Sequence, residues 1–161
     1  MKKFFIYLSI LILSLSMVLT VRAGLLDMGD GTVYDTDLDI TWYKNPNNNY
    51  MTGDQAMKWA AGLTVGGYSD WRLPTTPGIV YGYTNEGEMG RLYFDRLGNG
   101  QDGPLANKGP FSELQPYDYW SSTEFKDNPA GFAWAFDFKT GRQRSIGKSS
   151  IAYAIAVRSG R

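Results

Sequence analysis

Large and small residues alternate one by one in two segments near the end of the chain, and this pattern constrains the fold more than any other feature. Every second residue of 132–138 is aromatic, with Ala, Ala and Asp between them. In 151–157 three alanines alternate with larger apolar residues. A period of two places successive side chains on opposite faces of a strand. With a hairpin turn at 139–141 and a further strand at 119–125, these segments predict a C-terminal antiparallel sheet.

Two helices are predicted before this sheet. Residues 52–63 begin with Thr52 and Gln55 in the spacing of a capping box, in which a hydroxyl and an amide satisfy unpaired backbone donors. A second helix is predicted over 86–97, where Glu residues near the start and Arg residues near the end suit the helix dipole. The helical spacing of apolar residues defines the buried stripes. These residues are Ala56, Trp59, Ala60 and Leu63 in the first helix and Met89, Leu92, Tyr93 and Leu97 in the second.

The beginning of the domain predicts a hairpin and irregular chain. Within 31–43, strand-type residues flank Asp35-Thr36-Asp37, which is typical of a hairpin. The Asn- and Pro-rich residues 45–49 and the Gly-, Pro- and Asn-rich residues 98–111 are interpreted as loops. An N-terminal hairpin, two helices and a C-terminal antiparallel sheet make an α+β fold, and we predict a single domain over 24–161.

Residues 1–23 are interpreted as a signal peptide. Two lysines precede an apolar run that ends at Val21, and Val21-Arg22-Ala23 resembles a cleavage site. The alternative is an uncleaved anchor, because the apolar run approaches the about 20 residues that span a bilayer. Both interpretations place 24–161 outside the cytoplasm, either secreted, periplasmic or at the cell surface. Without the leader the chain has 13 cations against 16 acids, a net charge of −3.

The composition excludes several classes of protein. None of the 161 residues is His or Cys. This absence excludes a disulfide scaffold, a Ser-His-Asp triad, a cysteine nucleophile, and metal or haem sites built on imidazole or thiolate. The lack of a basic excess argues against nucleic acid as a partner. We expect no cofactor and no metal, and we predict a protein that is not an enzyme.

Several ordered blocks of sequence resemble one known family. The blocks are GGYSDWRLPT at 66–75, YWSST at 119–123, AWAFDF at 133–138 and AVR at 156–158. Together they resemble the Lcl C-terminal domain family, a domain of unknown function. EMGRLY at 88–93 and GPF at 109–111 are similar to a subgroup seen in secreted bacterial proteins of the PEP-CTERM type. We expect neither a sorting tail after Arg161 nor a collagen-like stalk before the domain.

The resemblance implies a C-type-lectin-like fold related to the formylglycine-generating enzymes. Those enzymes depend on cysteines, so their activity is not carried over to this chain. The namesake of the family is an adhesin that binds sulfated glycosaminoglycans, which implies an adhesin-like, carbohydrate-binding role. Within the longest block, Trp71 and also Trp120 are predicted to be core residues. Arg72 is predicted to pair with a carboxylate or a carbonyl, and the candidate acids are Asp70, Asp118 and Asp137.

One basic segment is the predicted ligand site. Arg142 and Arg144 share a strand face, Lys148 follows in the next turn, and Ser149 and Ser150 come after it. Arginine binds sulfate or carboxylate in bidentate fashion, so the predicted partner is an anionic polysaccharide or a surface protein. The other interpretation is that these are solvated charges that protect a sheet edge from aggregation. A membrane is expected as a partner only if the leader stays uncleaved.

Two other functions stay open at this point. A carbohydrate-active hydrolase would use two of Glu113, Asp118 and Glu124, which lie near aromatic residues. A structural envelope or matrix protein would need no small ligand. The acidic segment 35–39 resembles the start of a calcium loop, but Ile40 stands where an EF-hand needs Gly, so a hairpin turn is predicted there.

Overall fold

A computed structural model describes residues 24–161, so the predicted leader at 1–23 lies outside the described residues. The described chain contains ten strands, which form two sheets, and two helical segments. None of the helices in this part of the chain is long and apolar enough to cross a membrane. The α+β prediction is confirmed, with much more strand than helix.

The smaller sheet joins the two ends of the domain. Its strands are β1 (Leu25–Asp27), β2 (Thr32–Asp35), β3 (Ile40–Tyr43) and β10 (Val157–Ser159), which lie side by side in the order β1-β2-β3-β10. All three pairs are antiparallel, and β2 and β3 form the predicted hairpin. Asp39 at the hairpin turn has a φ of 49°, a left-handed conformation that Asp tolerates better than most residues.

The first helix forms as its local sequence dictates. Helix α1 spans Gly53–Ala61, and Thr52 and Gln55 make the reciprocal hydrogen bonds of the capping box. Ala56 and Ala60 are buried on its inner face. The second helix begins at Glu88, two residues later than predicted, with α2 at Glu88–Gly90. It then widens into a π-helical segment, Arg91–Arg96, but its apolar stripe is buried as predicted.

The larger sheet has six strands in the order β4-β9-β6-β7-β8-β5. They are β4 (Asn47–Met51), β5 (Gly82–Tyr83), β6 (Asp118–Glu124), β7 (Phe132–Asp137), β8 (Arg142–Gly147) and β9 (Ala152–Ala154). The predicted sheet was wholly antiparallel, but β6 and β9 run parallel, so the sheet is mixed. Gly141 at the β7–β8 turn has a φ of 80° and packs against the rings of Tyr93 and Phe94, where a Cβ has no room.

Two predictions of local structure were wrong. Residues 151–157 do not form one strand, because the chain leaves the larger sheet after Ala154 and enters the smaller sheet at Val157. Residues 45–49 are not all loop, because β4 begins at Asn47 and pairs with β9. In both cases a partner strand distant in sequence decides the backbone path, and the local pattern contains no information about that partner.

The alternation of large and small residues reflects two cores on opposite faces of the larger sheet. The aromatic side packs against the second helix and the hairpin, with Tyr119, Phe136 and Phe138 fully buried. The alanine side packs against α1, Trp71 and Trp120. Small residues are needed there because a helix lies directly on that face. Trp71 and Trp120 are therefore core residues, as predicted, with 3% and 0% of their surfaces exposed.

Arg72 pairs with a carboxylate, but not with any of the three predicted. Its guanidinium donates to both carboxylate oxygens of Glu88, at 2.9 and 2.7 Å. Asp70 instead accepts a hydrogen bond from Arg158, and Asp137 accepts bonds within its own turn. The pairing holds the start of the second helix against the long recognisable block. The predicted acids were wrong because the fold, and not sequence distance, selects the partner.

Candidate functional site

The basic segment lies on β8 and the turn that follows it, and each of its three cations faces a carboxylate. Arg142 donates to Asp102 at 3.1 Å and to the hydroxyl of Tyr83 at 2.6 Å. The other two pairs are Arg144 with Asp118 at 2.5 Å and Lys148 with Glu124 at 2.6 Å. Ser149 and Ser150 are exposed in the turn.

These pairs change the electrostatics of the predicted ligand site. The hydroxyl of Tyr83 and the guanidinium of Arg142 lower the pKa of Asp102, so that carboxylate stays ionised beside its partner. Three positive charges are thus matched by three negative charges within hydrogen-bond distance. A sulfate group approaching Arg142, Arg144 or Lys148 competes with a carboxylate that is already in place. The assignment of this segment as a ligand site stays a prediction.

The three acids of the hydrolase alternative are not brought together in a catalytic pair. Asp118 and Glu124 stand at opposite ends of β6, and six strand residues span about 20 Å. Glycosidase carboxylates lie about 5–10 Å apart. Burial raises the pKa of Asp118, and the Arg144 guanidinium opposes that shift. Glu113 is exposed in the loop before β6 and borders a different surface, described below.

The acidic segment 35–39 is a hairpin turn, as predicted. Asp35 is fully buried, accepts the backbone N–H groups of Asp37 and Leu38, and pairs with Arg96. Asp39 accepts a hydrogen bond from the hydroxyl of Tyr34. Among the described residues, no three acidic side chains are grouped closely enough to hold a metal ion.

A cleft beside β4 is the feature that sequence reasoning missed. We call it the asparagine cleft, and its volume is about 430 Å³. Its walls contain four asparagine amides from within residues 45–49, two aromatic rings and one carboxylate. The lining residues are Tyr43, Asn45, Pro46, Asn47, Asn48, Asn49, Trp59 and Glu113. Such a surface offers many uncharged donors and acceptors next to flat apolar faces.

A bulge in β4 turns these side chains outward. Asn47 is paired with Ala154 and Met51 with Ala152, so three residues of β4 lie opposite the single residue Tyr153 of β9. A bulge of this kind bends a strand and re-aims its side chains. The hydrogen bond from the indole N–H of Trp120 to the carbonyl of Met51, at 2.8 Å, fixes the end of the bulge.

The floor and walls of the cleft are held by internal contacts. Asn48 donates to the carbonyl of Glu113 at 2.9 Å and accepts from the hydroxyl of Tyr119 at 3.2 Å. Asn45 and Asn49 are exposed, and their side-chain amides make no hydrogen bond within residues 24–161. Tyr43 packs against Trp59, with ring centroids 6.3 Å apart. The cleft therefore combines rigid walls with two amides open to solvent.

Three tyrosines form a partly exposed cluster that includes the next residue of β4 after the cleft. Tyr50, which follows Asn49 directly, packs against Tyr153 at 5.0 Å and against Tyr117 at 5.7 Å. Tyr117 and Tyr153 are 4.9 Å apart. Tyr50 and Tyr117 are almost half exposed, at 49% and 47%. We call these three residues the tyrosine cluster; they offer aromatic faces next to Asn49 in sequence, but none of them lines the cleft itself.

The sequence contains signals for the asparagine cleft, but they are typical of a loop and do not indicate a binding surface. The run of asparagines at 45–49 was visible, and so was Glu113, but as a member of a different predicted site. Tyr50, Tyr117 and Tyr153 come from three distant parts of the chain, so only the fold brings them together. The surface is thus a product of topology, and no short motif encodes it.

Comparison with known proteins gives a family and no characterised relative. No curated protein matches the sequence of this chain closely enough to count as a relative. The family described as the Lcl C-terminal domain matches residues 31–158, which include β2 to β9 and the first two of the three residues of β10. The match covers most of the chain, and the chain therefore belongs to the Lcl C-terminal domain family.

Proposed function

We propose that this protein is an extracytoplasmic, adhesin-like binding module that recognises a polysaccharide without chemically changing it. The observation that carries the proposal is the asparagine cleft, where exposed amides stand beside the rings of Tyr43 and Trp59. Amides both donate and accept hydrogen bonds, as sugar hydroxyl groups do. Aromatic rings offer a flat apolar face to the C–H side of a sugar ring.

The geometry favours uncharged contacts over charged ones. The exposed amides of Asn45 and Asn49 have hydrogen-bonding capacity to spare, whereas the cations of the basic segment are occupied by carboxylates. The tyrosine cluster, which begins at the residue after Asn49, offers further exposed aromatic faces, and a chain of sugars could use both it and the cleft. The leader interpreted at 1–23 supports a location outside the cytoplasm.

Binding without catalysis is supported by the arrangement of the acids. The cleft is bordered by one carboxylate, that of Glu113, whereas glycoside hydrolysis uses two carboxyl groups facing each other across the scissile bond. The candidate partners Asp118 and Glu124 are held in ion pairs on β6. We therefore infer a role in holding a glycan and not in cleaving it.

A glycan array with the purified protein tests the proposal, and two sets of variants locate the contact. Asn45→Ala with Asn49→Ala removes the open amides of the cleft, and Asn85→Ala is a control at an exposed asparagine elsewhere. Arg142→Ala, Arg144→Ala and Lys148→Ala together remove the basic segment. We expect the cleft variant to lose at least tenfold in affinity and the other two proteins to retain binding.

The same experiment separates the competing interpretations. Loss of binding only in the basic-segment variant would move the contact to β8 and support an anionic polysaccharide. Binding of no polysaccharide at all would overturn the proposed function and favour the structural alternative. Release of reducing ends from a bound glycan by the wild-type protein would show a hydrolase.

A further inference from the structure

A long irregular segment, Gly98–Tyr117, separates the second helix from β6. Irregular segments of this length are uncommon in compact domains and are usually functional or disordered. Here the segment is held in one conformation by two asparagines. Asn99, only 7% exposed, donates to the carbonyl of Asn107 at 2.9 Å and accepts the N–H groups of Ala106 and Asn107.

The second asparagine ties the segment to the helix before it. The side chain of Asn107 donates to the carbonyl of Leu97 at 2.7 Å and accepts the N–H of Gly109 at 2.9 Å. Across the segment, the backbone N–H of Asp102 donates to the carbonyl of Thr140 in the β7–β8 turn. At the far end of the segment, the carbonyl of Tyr117 accepts the N–H of Phe138 at 2.9 Å. The segment is thus fixed at several points along its length, which is what a preformed binding site requires.

This segment and the β7–β8 turn form the walls of a half-open cavity of about 460 Å³. Its walls are largely apolar, with Pro104, Leu105 and Pro116 among the lining residues. Cavities of about 300–1,000 Å³ with apolar walls and a few polar groups are typical of small-molecule sites. The cavity is separate in its lining residues from the asparagine cleft.

Two lysines set the electrostatics of the cavity. Lys108 and Lys139 line it, and neither forms an ion pair with an acid in the described part of the chain. Asp102 also lines the cavity, but its carboxylate is bonded to Arg142 at 3.1 Å. The charge of Asp102 is therefore compensated from outside, and the two ammonium groups give the lining residues a positive balance. The carboxylate of Asp137 does not line the cavity and accepts the hydroxyl of Thr140 at 2.7 Å and the N–H of Lys139 at 2.8 Å.

We propose that this cavity, formed by the segment 98–117 and the β7–β8 turn, binds a small molecule with an apolar body and a single anionic group. The apolar body is expected to contact Pro104, Leu105 and Pro116, and the anion to lie between Lys108 and Lys139. Burial of an apolar body supplies affinity, and the lysines supply selection for negative charge. The site does not depend on polysaccharide binding at the cleft.

The experiment uses 2-naphthoate as the probe and 2-naphthamide as its uncharged counterpart of nearly the same shape. Binding to the full protein is followed by the chemical shifts of backbone amides. We expect 2-naphthoate to shift the amides of 102, 103, 105–108, 139 and 140 and to bind at least tenfold more tightly than 2-naphthamide. Equal affinity of the two probes, or shifts confined to other parts of the molecule, would overturn the proposal.

A matched pair of double variants tests the two lysines. Lys108→Gln with Lys139→Gln removes two positive charges at the cavity, and Lys58→Gln with Lys126→Gln removes two from exposed positions elsewhere. We expect the first pair to reduce 2-naphthoate affinity about tenfold, to the level of the amide, and the second to leave it within twofold. A similar loss in both pairs would reduce the effect to overall charge and contradict the assignment.

Discussion

Arginines meet carboxylates from distant elements in two regions of this molecule, and the two regions differ in their access to water. Beneath the N-terminal hairpin, the side chain of Arg96 is 10% exposed and pairs with Asp35, which is fully buried. On β8, Arg142 and Arg144 are 53% and 55% exposed in their pairs with Asp102 and Asp118. Water screens the second region and hardly reaches the first.

The difference in exposure separates ion pairs that stabilise the fold from ion pairs that contribute little to its stability. A buried carboxylate that loses its partner keeps its desolvation penalty, whereas an exposed one is simply hydrated. The basic segment attracts attention because its cations are close in sequence. Arg96 looks ordinary in the sequence, although it serves a residue 61 positions away. The contribution of an ion pair to the free energy of unfolding depends here on its burial and not on how many charges lie close together in the sequence.

The largest effect is expected from Arg96→Met. This substitution leaves the buried Asp35 with only backbone N–H donors. It also removes the ion pair of Arg96 with Asp37, whose atoms are 2.9 Å apart. Breaking one side of a buried pair costs about 3–5 kcal/mol. Urea unfolding measures the loss, with Arg91→Met at an exposed position of the same helical segment as the control. A loss below about 1 kcal/mol would show that the pair is not structural.

An intermediate effect is expected from Glu88→Gln, since its carboxylate is 14% exposed and accepts two hydrogen bonds from Arg72. Charge-assisted bonds of this kind contribute about 1.5–3 kcal/mol. Burial by itself raises the pKa of Glu88, but the bonds from Arg72 and from the N–H of Thr75 outweigh it and hold the pKa below its ordinary 4.5.

The sign of the pH dependence follows from that lowered pKa. Glu88 stabilises the fold above its unfolded pKa, near 4.5, and this contribution is lost as the pH falls through the lower folded value. The wild type should therefore lose its advantage over Glu88→Gln when urea unfolding is repeated at successively lower pH. Glu86→Gln, at an exposed position, serves as the control. A constant difference across the acid range would contradict the role given to Glu88.

A smaller effect on stability but a clear spectroscopic one is expected from Arg144→Ala. Removal of an exposed pair changes the free energy of unfolding by about 1 kcal/mol or less. Burial already raises the pKa of Asp118, and Arg144 is the group that opposes it, so the pKa should rise further. Carbon-13 NMR of the Asp118 carboxyl group measures the change. Arg142→Ala leaves this pair intact, and an unchanged Asp118 titration in Arg144→Ala would show that the contact is not formed in solution.

The smallest effect is expected from Arg142→Ala. The side chains of Arg142 and of its partner Asp102 are both more than half exposed. We expect a change in unfolding free energy of less than about 0.5 kcal/mol. Any change should disappear at 1 M salt, where charges are screened over about 3 Å. Thermal unfolding at low and high salt is the measurement. A loss comparable to that of Arg96→Met would remove the distinction between the two regions.

Local chemistry explains which parts of the fold could be predicted from the sequence. The capping box of Thr52 and Gln55 satisfies backbone donors within one turn, so the start of α1 can be predicted from its local sequence alone. The strand at 132–138 is recognisable because residues on both of its faces are buried, with Phe136 and Phe138 in one core and Ala133 in the other. The hairpin of β2 and β3 needed only its own turn.

Long-range pairing explains the parts that could not be predicted. The ion partners of Arg142, Arg144 and Lys148 are 40, 26 and 24 residues away in sequence. The strand character of β4 depends on Ala154, more than a hundred residues later. The alternation predicted for 151–157 does separate the alanines, which face one core, from Ile155 and Val157, which face the other, whereas Ile151 is exposed. The transfer of the chain from one sheet to the other is not visible in a period of two.

That transfer has a consequence for how the domain is made. The smaller sheet begins with Leu25 and is completed by β10, whose Val157 pairs with Trp42. When the chain is synthesised from its N-terminal end, the β2–β3 hairpin is complete long before β10 is available to pair with β3. Contacts of such high sequence separation slow folding, because loop closure precedes the gain from pairing. Strand β3 thus pairs with β2 as soon as the hairpin forms, but it gains its second neighbour, β10, only when residues more than a hundred positions later have been synthesised.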